Sequence, residues 1–447
     1  MKKNDIIKLD IDAMSSLGSG IGRYEGLAVF VPLSAVGDSL SVKVLKVKSN
    51  CAFGKIEEIL APSATRCEPD CAVFSKCGGC VYRHISYEEE LKFKEKSVED
   101  AVKRIGKVDL DAQPIVFGKE NGYRNKAQYP VAQNGSVGFF ANHSHRIIPN
   151  STCALQPDVF SKICEIFTFW MSTSGNTVYS EETGKGLVRH LYIRRAEVTG
   201  EIMVCLVING DKVNAAKRLV EDLREELGDA LKSVVLNINK SKTNVILSDK
   251  CQNLYGDGYI YDILCGVKVR LNPLSFYQVN HDMAEKLYKK AADYAECEGK
   301  TVLDLYCGAG TIGLSMAKSA KKIIGAEIIP EAVEDAKFNA ANNNITNAEF
   351  ICADAKDAAR QLADKKLKPD VVIVDPPRKG CSEELLHTIS NDFSPERLVY
   401  VSCDPATLAR DISILTGLGY ELVEYTPFDL FPRTSHCETV AKFIRKV

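Results

Sequence analysis

Three side chains in the carboxyl-terminal part of the chain are of the types that covalent carbon chemistry needs: the thiol of Cys403 and the carboxyls of Asp375 and Glu438. Cys403 lies in LVYVSCDPATLARD, where an apolar run reads as a buried strand and Pro405 can open the following helix at its first position. A helix amino terminus favours a thiolate, whereas the adjoining Asp404 opposes it, because a negative neighbour raises a thiol pKa. A lone cysteine is more often a core residue. This one is singled out by its neighbour segment DVVIVDPPRKG, where Asp375 and two prolines end another strand of the same expected sheet. FPRTSHCETV, nearer the end, offers Glu438 as a proton acceptor with His436 beside it.

A second set reads as a cofactor loop. TVLDLYCGAGTIG passes from a buried strand through a glycine turn into a helix, and Gly308, Gly310 and Gly313 satisfy G-x-G-x-x-G. Glu327 stands near the distance expected of an acid that binds ribose hydroxyls. Alone, these would favour a dinucleotide. Asp304, at the strand's end, would repel a pyrophosphate resting there. It would welcome S-adenosyl-L-methionine, which has no phosphate and carries a sulfonium charge.

Cys71-x5-Cys77-Gly-Gly-Cys80 forms a third set, compact enough to wrap a metal, with Cys153 or Cys67 as the fourth ligand. Four cysteines suit zinc or a four-iron four-sulfur (4Fe-4S) cluster, and the spacing leaves both open. Most of the 16 cysteines sit singly in apolar patterns and read as reduced core residues.

These residues must be positioned by more than one core, since 447 residues exceed what a single one supports. Short β-like runs with glycine turns over residues 1–60 suggest a small β-barrel. Tyr87 to Ile105 reads as an amphipathic helix, with Leu91, Val98, Val102 and Ile105 on its apolar side. Residues 61–270 alternate irregularly and read as an α+β unit, in which LVRHLYIRRAEV and EIMVCLVIN form a hairpin. Residues 271–447 alternate buried strands with helices, the sign of a doubly wound α/β sheet, closed by an antiparallel pair.

Composition, at 45% hydrophobic and 26% charged, is that of an ordinary globular chain, and a net charge of -2 requires any nucleic-acid surface to be local. Candidate phosphate contacts are Lys92, Lys94, Lys96, Lys103, Arg104, Arg124 and Lys126, although charge runs are usually solvated faces. The acidic start and the lack of a long apolar run point to a cytoplasmic protein with no membrane partner.

Read in order, these segments, with GYRNKAQYPV, VGFFANHSHRII and NPLSFYQVN, resemble the uracil-5 RNA methyltransferase family over nearly the whole chain. The resemblance is strongest to its ribosomal RNA branch, which carries an amino-terminal TRAM domain. It implies a multidomain fold: an OB-like TRAM barrel that binds RNA, a central α+β domain with a Cys-ligated cluster, and a Rossmann-like methyltransferase domain. It implies that Cys71, Cys77, Cys80 and Cys153 hold a 4Fe-4S cluster. By the same implication Gln278, Tyr306, Thr311, Glu327, Asp354 and Asp375 line an S-adenosyl-L-methionine pocket. Cys403 would be the nucleophile, adding to carbon 6 of a uracil flipped out of its stack, and Glu438 the base. The expected partner is ribosomal RNA and not DNA, with the protein acting as a monomer. The alternatives are a transfer RNA m5U enzyme, an amino-group methyltransferase using DPPR, and an inactive RNA-binding scaffold. The chain departs from the family pattern at Asp404, where asparagine is usual, at Arg83, where glutamine is common, and at Cys437, where an aliphatic residue is common.

Overall fold

Alternating apolar residues build the first layer. In the computed structural model, which describes residues 1–446, Ile7, Leu9, Val29, Val31, Leu40, Val42 and Val44 enclose a small core of their own. Their six-stranded sheet runs from Ile6–Asp10 through Ser39–Val47, Cys51–Ala61, Leu27–Pro32 and Ser19–Tyr24 to Ala13–Met14. The Leu27–Pro32 and Cys51–Ala61 strands pair in parallel, and the other neighbours are antiparallel. The sheet curls on itself at Gly22, where an added Cβ would lie 2.2 Å from the Asp10 carbonyl oxygen. Only glycine permits that approach.

A five-stranded sheet follows, ordered Cys251–Gly256, Leu231–Ile238, Ile202–Ile208, Val188–Arg195 and Lys126–Pro130. The hairpin read from sequence is there: Val188–Arg195 pairs antiparallel with Ile202–Ile208. One face packs Leu191, Ile193, Val204 and Leu206 against Phe160, Phe167 and Trp170 of the Val159–Thr173 helix and Leu219 and Leu223 of the Ala216–Leu227 helix. Tyr192, Met203 and Cys205 alternate with these residues and join a different core. That core includes the Ile260–Leu264 and Val267–Leu271 hairpin, the His281–Ala295 helix and the third sheet.

The third sheet has seven strands, in the order Ala348–Cys352, Lys322–Glu327, Thr301–Leu305, Val371–Val374, Arg397–Ser402, Glu438–Arg445 and Tyr420–Phe428. The first five are parallel and the last two antiparallel. Strand order reverses beside Thr301–Leu305, which opens a crevice at the carboxyl ends of that strand and Val371–Val374.

The Tyr87–Arg104 helix is capped by Ser86, whose side chain accepts from the Glu89 N–H. It buries Leu91, Val98 and Val102 as their spacing predicts, with Val98 and Val102 in one core with Leu408 and Ile412. Ile105 lies beyond the helix and is exposed. The helix also buries Glu90 and Lys94, so Lys94 is no phosphate contact. Its ammonium donates to Glu90 and Asp429, both at 2.7 Å, and to the Phe431 carbonyl. Among the described residues no helix is long and apolar enough to cross a membrane.

Candidate active site

The glycine loop turns sharply after Leu305. Tyr306, Gly308 and Gly310 take left-handed φ values of 67°, 54° and 78°, so the chain doubles back before the Thr311–Met316 helix. Asp304 does not face the crevice as its sequence position suggested. It is buried beneath the loop and accepts the Gly313 N–H at 2.9 Å through one oxygen, while the other has no partner. Burial first, then nearby Asp375 and Glu327, push its carboxyl up to about 7. Glu327 accepts the Gly308 and Ile329 N–H groups at 3.1 and 2.9 Å, which holds the loop against the neighbouring strand.

Gln278, Tyr306, Thr311 and Asp375 line one cleft, together with Phe276, Tyr277, Tyr288 and residues 307–309 and 312. Tyr288 shares a 3.2 Å hydrogen bond with the Thr311 hydroxyl. The cavity is small, about 30 Å3. Glu327 and Asp354 lie outside this lining. Asp354 caps the Ala355–Asp364 helix through the Lys356 N–H, and its charge acts on Tyr306.

Cys403 follows the Arg397–Ser402 strand and is half-buried. Burial first, then Glu438 and Asp375, raise its thiol to about 11 against the opposing charge of Arg378. Asp404 is not among the largest of these influences. Its carboxylate instead caps the Pro405–Gly417 helix, accepting the Ala406 and Thr407 N–H groups, both at 2.9 Å. The helix terminus that sequence reasoning offered to the thiolate is thus already satisfied by Asp404. Glu438 opens the strand antiparallel to Arg397–Ser402 and is buried. Burial, then Asp375, push its carboxyl up to about 8 against Arg378, and burial alone takes Asp375 to about 7. One thiol and two carboxyls therefore lie within one another's field, with Asp375 shared between them and the glycine-loop cleft. The sequence reading gives Arg378, the last residue of DPPR, no role of its own. Nothing local marks it as the cation facing this group.

Cys77, Cys80 and Cys153 are each raised chiefly by burial, and in each case by other thiols of the set, with Cys153 reaching about 11. Cys71 acts on Cys77 and Cys80, and Cys77 and Cys80 act on Cys153. Cys67 is exposed and contributes to none of these shifts. Among the described residues no three His, Cys, Asp or Glu side chains converge on a position for a single metal ion. A set of four thiols is a donor set that both zinc and a 4Fe-4S cluster accept. A cavity of about 830 Å3 borders Cys71 and the Val159–Thr173 helix, not the Cys403 group.

A doubly wound sheet, a glycine loop at its switch point and a thiol–carboxyl group at adjacent strand ends define a methyltransferase-type catalytic unit. Residues 86–446 match the family model for tRNA (uracil-5-)-methyltransferase, and residues 2–56 match the TRAM domain. The chain belongs to this RNA methyltransferase family. An uncharacterized RNA methyltransferase of Clostridium acetobutylicum is 43% identical, covering 98% of this chain and 97% of that one. One from Listeria innocua is 42% identical, covering 98% of each. The crystal structure of the Pyrococcus abyssi tRNA (uracil-54, C5)-methyltransferase in complex with S-adenosyl-L-homocysteine superposes with a TM-score of 0.80 at 26% identity. That match covers 98% of this chain and 100% of the other.

Proposed function

We propose that the protein methylates carbon 5 of a uridine in RNA, with Cys403 as covalent nucleophile, Glu438 as base and S-adenosyl-L-methionine as donor. The observation that carries this reading is the grouping of Cys403, Glu438 and Asp375 beside the cleft lined by Gln278, Tyr306 and Thr311. Carbon 5 of uracil is too weak a nucleophile to take a methyl from a sulfonium directly. When the Cys403 thiol gives its proton to the Asp375 carboxylate and its sulfur bonds to carbon 6, the electron pair moves to the carbonyl oxygen at carbon 4 and the enolate becomes nucleophilic at carbon 5. The donor supplies an electrophilic methyl group and leaves as a neutral thioether. Glu438 then takes the hydrogen on carbon 5 as a proton, the ring double bond re-forms, and the Cys403 thiolate departs.

Cys403 is protonated in the free site, because burial and two carboxyls oppose its charge. Protonating Asp375 or Glu438, both poised near neutrality, relieves that opposition. Glu327 and Asp354 would take the donor's ribose and base end, as the family resemblance implies. Cys71, Cys77, Cys80 and Cys153 would hold a 4Fe-4S cluster that stiffens their loop, and the amino-terminal sheet would hold RNA.

Ribosomal RNA is the substrate class favoured by the motif resemblance. A second reading, transfer RNA, is supported by the Pyrococcus abyssi match, which extends over the amino-terminal sheet and the cysteine loop as well. Incubation with 5-fluorouridine RNA tests the chemistry. Fluorine at carbon 5 cannot leave as a proton, so a gel-stable adduct that requires Cys403 is expected. Its absence would sink the covalent route. Mapping 5-methyluridine in ribosomal and transfer RNA from a deletion strain decides the substrate class.

A further inference from the structure

The structure sorts the basic residues that the sequence offered as phosphate contacts. Lys92 pairs with Glu88, Lys96 and Arg104 with Asp100, and Lys103 with Glu99 and Asp111. Lys94 is buried between Glu90 and Asp429. Arg124 and Lys126 remain, and among the described residues neither has a carboxylate partner.

Their placement is specific. Arg124, Lys126 and Gln128 lie on the half-buried face of the edge strand, while Tyr123, Asn125, Ala127 and Tyr129 are buried on the other. Lys126 stands directly opposite Arg194 in the antiparallel ladder, so their side chains share a face. Arg194 is fully used: it donates to the Asn272 and Ser275 carbonyls at 3.1 and 2.7 Å, bracing the turn that leads into Phe276 and Gln278. Lys126 finds no acceptor on the protein. Burial, then Arg194 and Arg124, depress its ammonium to about 8. No carboxylate is among the groups acting on it.

The same segment touches both halves of the reaction centre. The Asn125 amide donates to the Gln278 carbonyl at 3.0 Å, and the Tyr123 hydroxyl donates to the Pro432 carbonyl at 3.0 Å, six residues before Glu438. Two uncompensated cations thus belong to a segment that is anchored both to the donor cleft and to the loop that delivers the base. Holding like charges together under partial burial is unfavourable unless an anion joins them.

We infer that Arg124 and Lys126 form a phosphodiester site that grips the RNA backbone beside the flipped target uridine. This rests on the uridine-methyltransferase reading and adds to it the residues that set the depth and register of the strand. A phosphate held here leaves its nucleoside free to swing toward Cys403, while the contact carries no base information.

The test uses the full-length protein and a 5-fluorouridine-substituted 23S ribosomal RNA transcript, with a transfer RNA transcript in parallel. Lys126→Ala is expected to weaken binding of the RNA the wild type traps by roughly tenfold and to lower the log–log salt slope by about 1. Lys126→Arg should restore both, and Lys96→Ala should match wild type. Affinity for S-adenosyl-L-homocysteine, measured by calorimetry, should be unchanged in all three. Undiminished RNA binding by Lys126→Ala, or a loss confined to the homocysteine ligand, overturns the inference while wild-type adduct formation stands. Failure of the wild type to form any adduct sinks the underlying reading, and this site with it.

Discussion

Arg378 donates a hydrogen bond to Nε2 of His436 at 3.2 Å, tying the loop after Val371–Val374 to the loop before Glu438. A guanidinium only donates, so this Nε2 must be unprotonated and the ring neutral with its hydrogen on Nδ1. Burial and then Arg378 lower the His436 pKa accordingly. Arg378 is also the cation that opposes the raised pKa values of both Cys403 and Glu438. Replacing Arg378 with alanine is expected to slow adduct formation on 5-fluorouridine RNA about tenfold at pH 7, with partial recovery as pH rises. Lysine at this position should restore part of the rate. A rate equal to wild type at pH 7 would show that the guanidinium does not support the thiolate.

Glu438→Gln should separate the two halves of the reaction. The thiol can still add and carbon 5 can still be methylated, but the proton has no acceptor, so a covalent complex with ordinary RNA should accumulate. In the wild type the base must be ionised, and its pKa is about 8. Turnover should therefore rise with pH through 8, and the fraction trapped as adduct should fall. Denaturing gels run from pH 6.5 to 9 measure both, and a trapped fraction independent of pH would count against Glu438.

Asp304 has a folded-state pKa near 7, raised from 3.8. The folded protein binds this proton more tightly than the unfolded chain, so the stabilising share is complete below about pH 4 and lost as pH climbs to 7. Relative to Asp304→Asn, wild type should lose up to about 1.4 kcal/mol per pH unit across that interval. Urea titrations of the two proteins at pH 5 and 7 give the difference directly. A constant gap would mean that the carboxyl is already ionised at pH 5.

Cys71→Ser, Cys77→Ser, Cys80→Ser and Cys153→Ser should each abolish bound iron and acid-labile sulfide in protein purified without oxygen, whereas Cys67→Ser should leave both intact. Iron retained by Cys153→Ser, or lost by Cys67→Ser, would reassign the fourth ligand.

The strand ends, the glycine loop and the Ser86-capped helix were legible because each is written in local spacing. Cys403, Asp375 and Glu438 could be singled out for the same reason: each lies at the end of a recognisable strand. The fate of individual charges was not legible. Lys94 looked like its lysine neighbours, but its partner Asp429 is 335 positions away. Asp404 looked like a brake on the thiol, yet its geometry spends it on the helix cap. Asp304 has the sequence position of a ligand contact and the burial of a structural group. Sequence spacing places a residue on an element, while packing between elements decides what its charge meets.

The Lys94 ammonium and the Glu90 and Asp429 carboxyls are buried together, with the Tyr87 hydroxyl donating to Asp429 at 2.7 Å. Lys94→Ala leaves Asp429 without its cation and Glu90 with only Arg433, at 3.5 Å, a loss of roughly 3–5 kcal/mol. Urea denaturation should register it, and an unchanged midpoint would mean that the two acids take up protons instead.

The same cluster constrains how the chain is made. A ribosome releases residues 87–104 long before Asp429 exists, so this helix emerges with a charged face meant for the interior and an apolar stripe awaiting Leu408 and Ile412. Until nearly the whole polypeptide has been synthesised, that segment has nowhere to dock. Nascent copies should therefore need a chaperone's shelter over most of translation, and carboxyl-terminal truncations should be cleared rather than persist as partial enzymes.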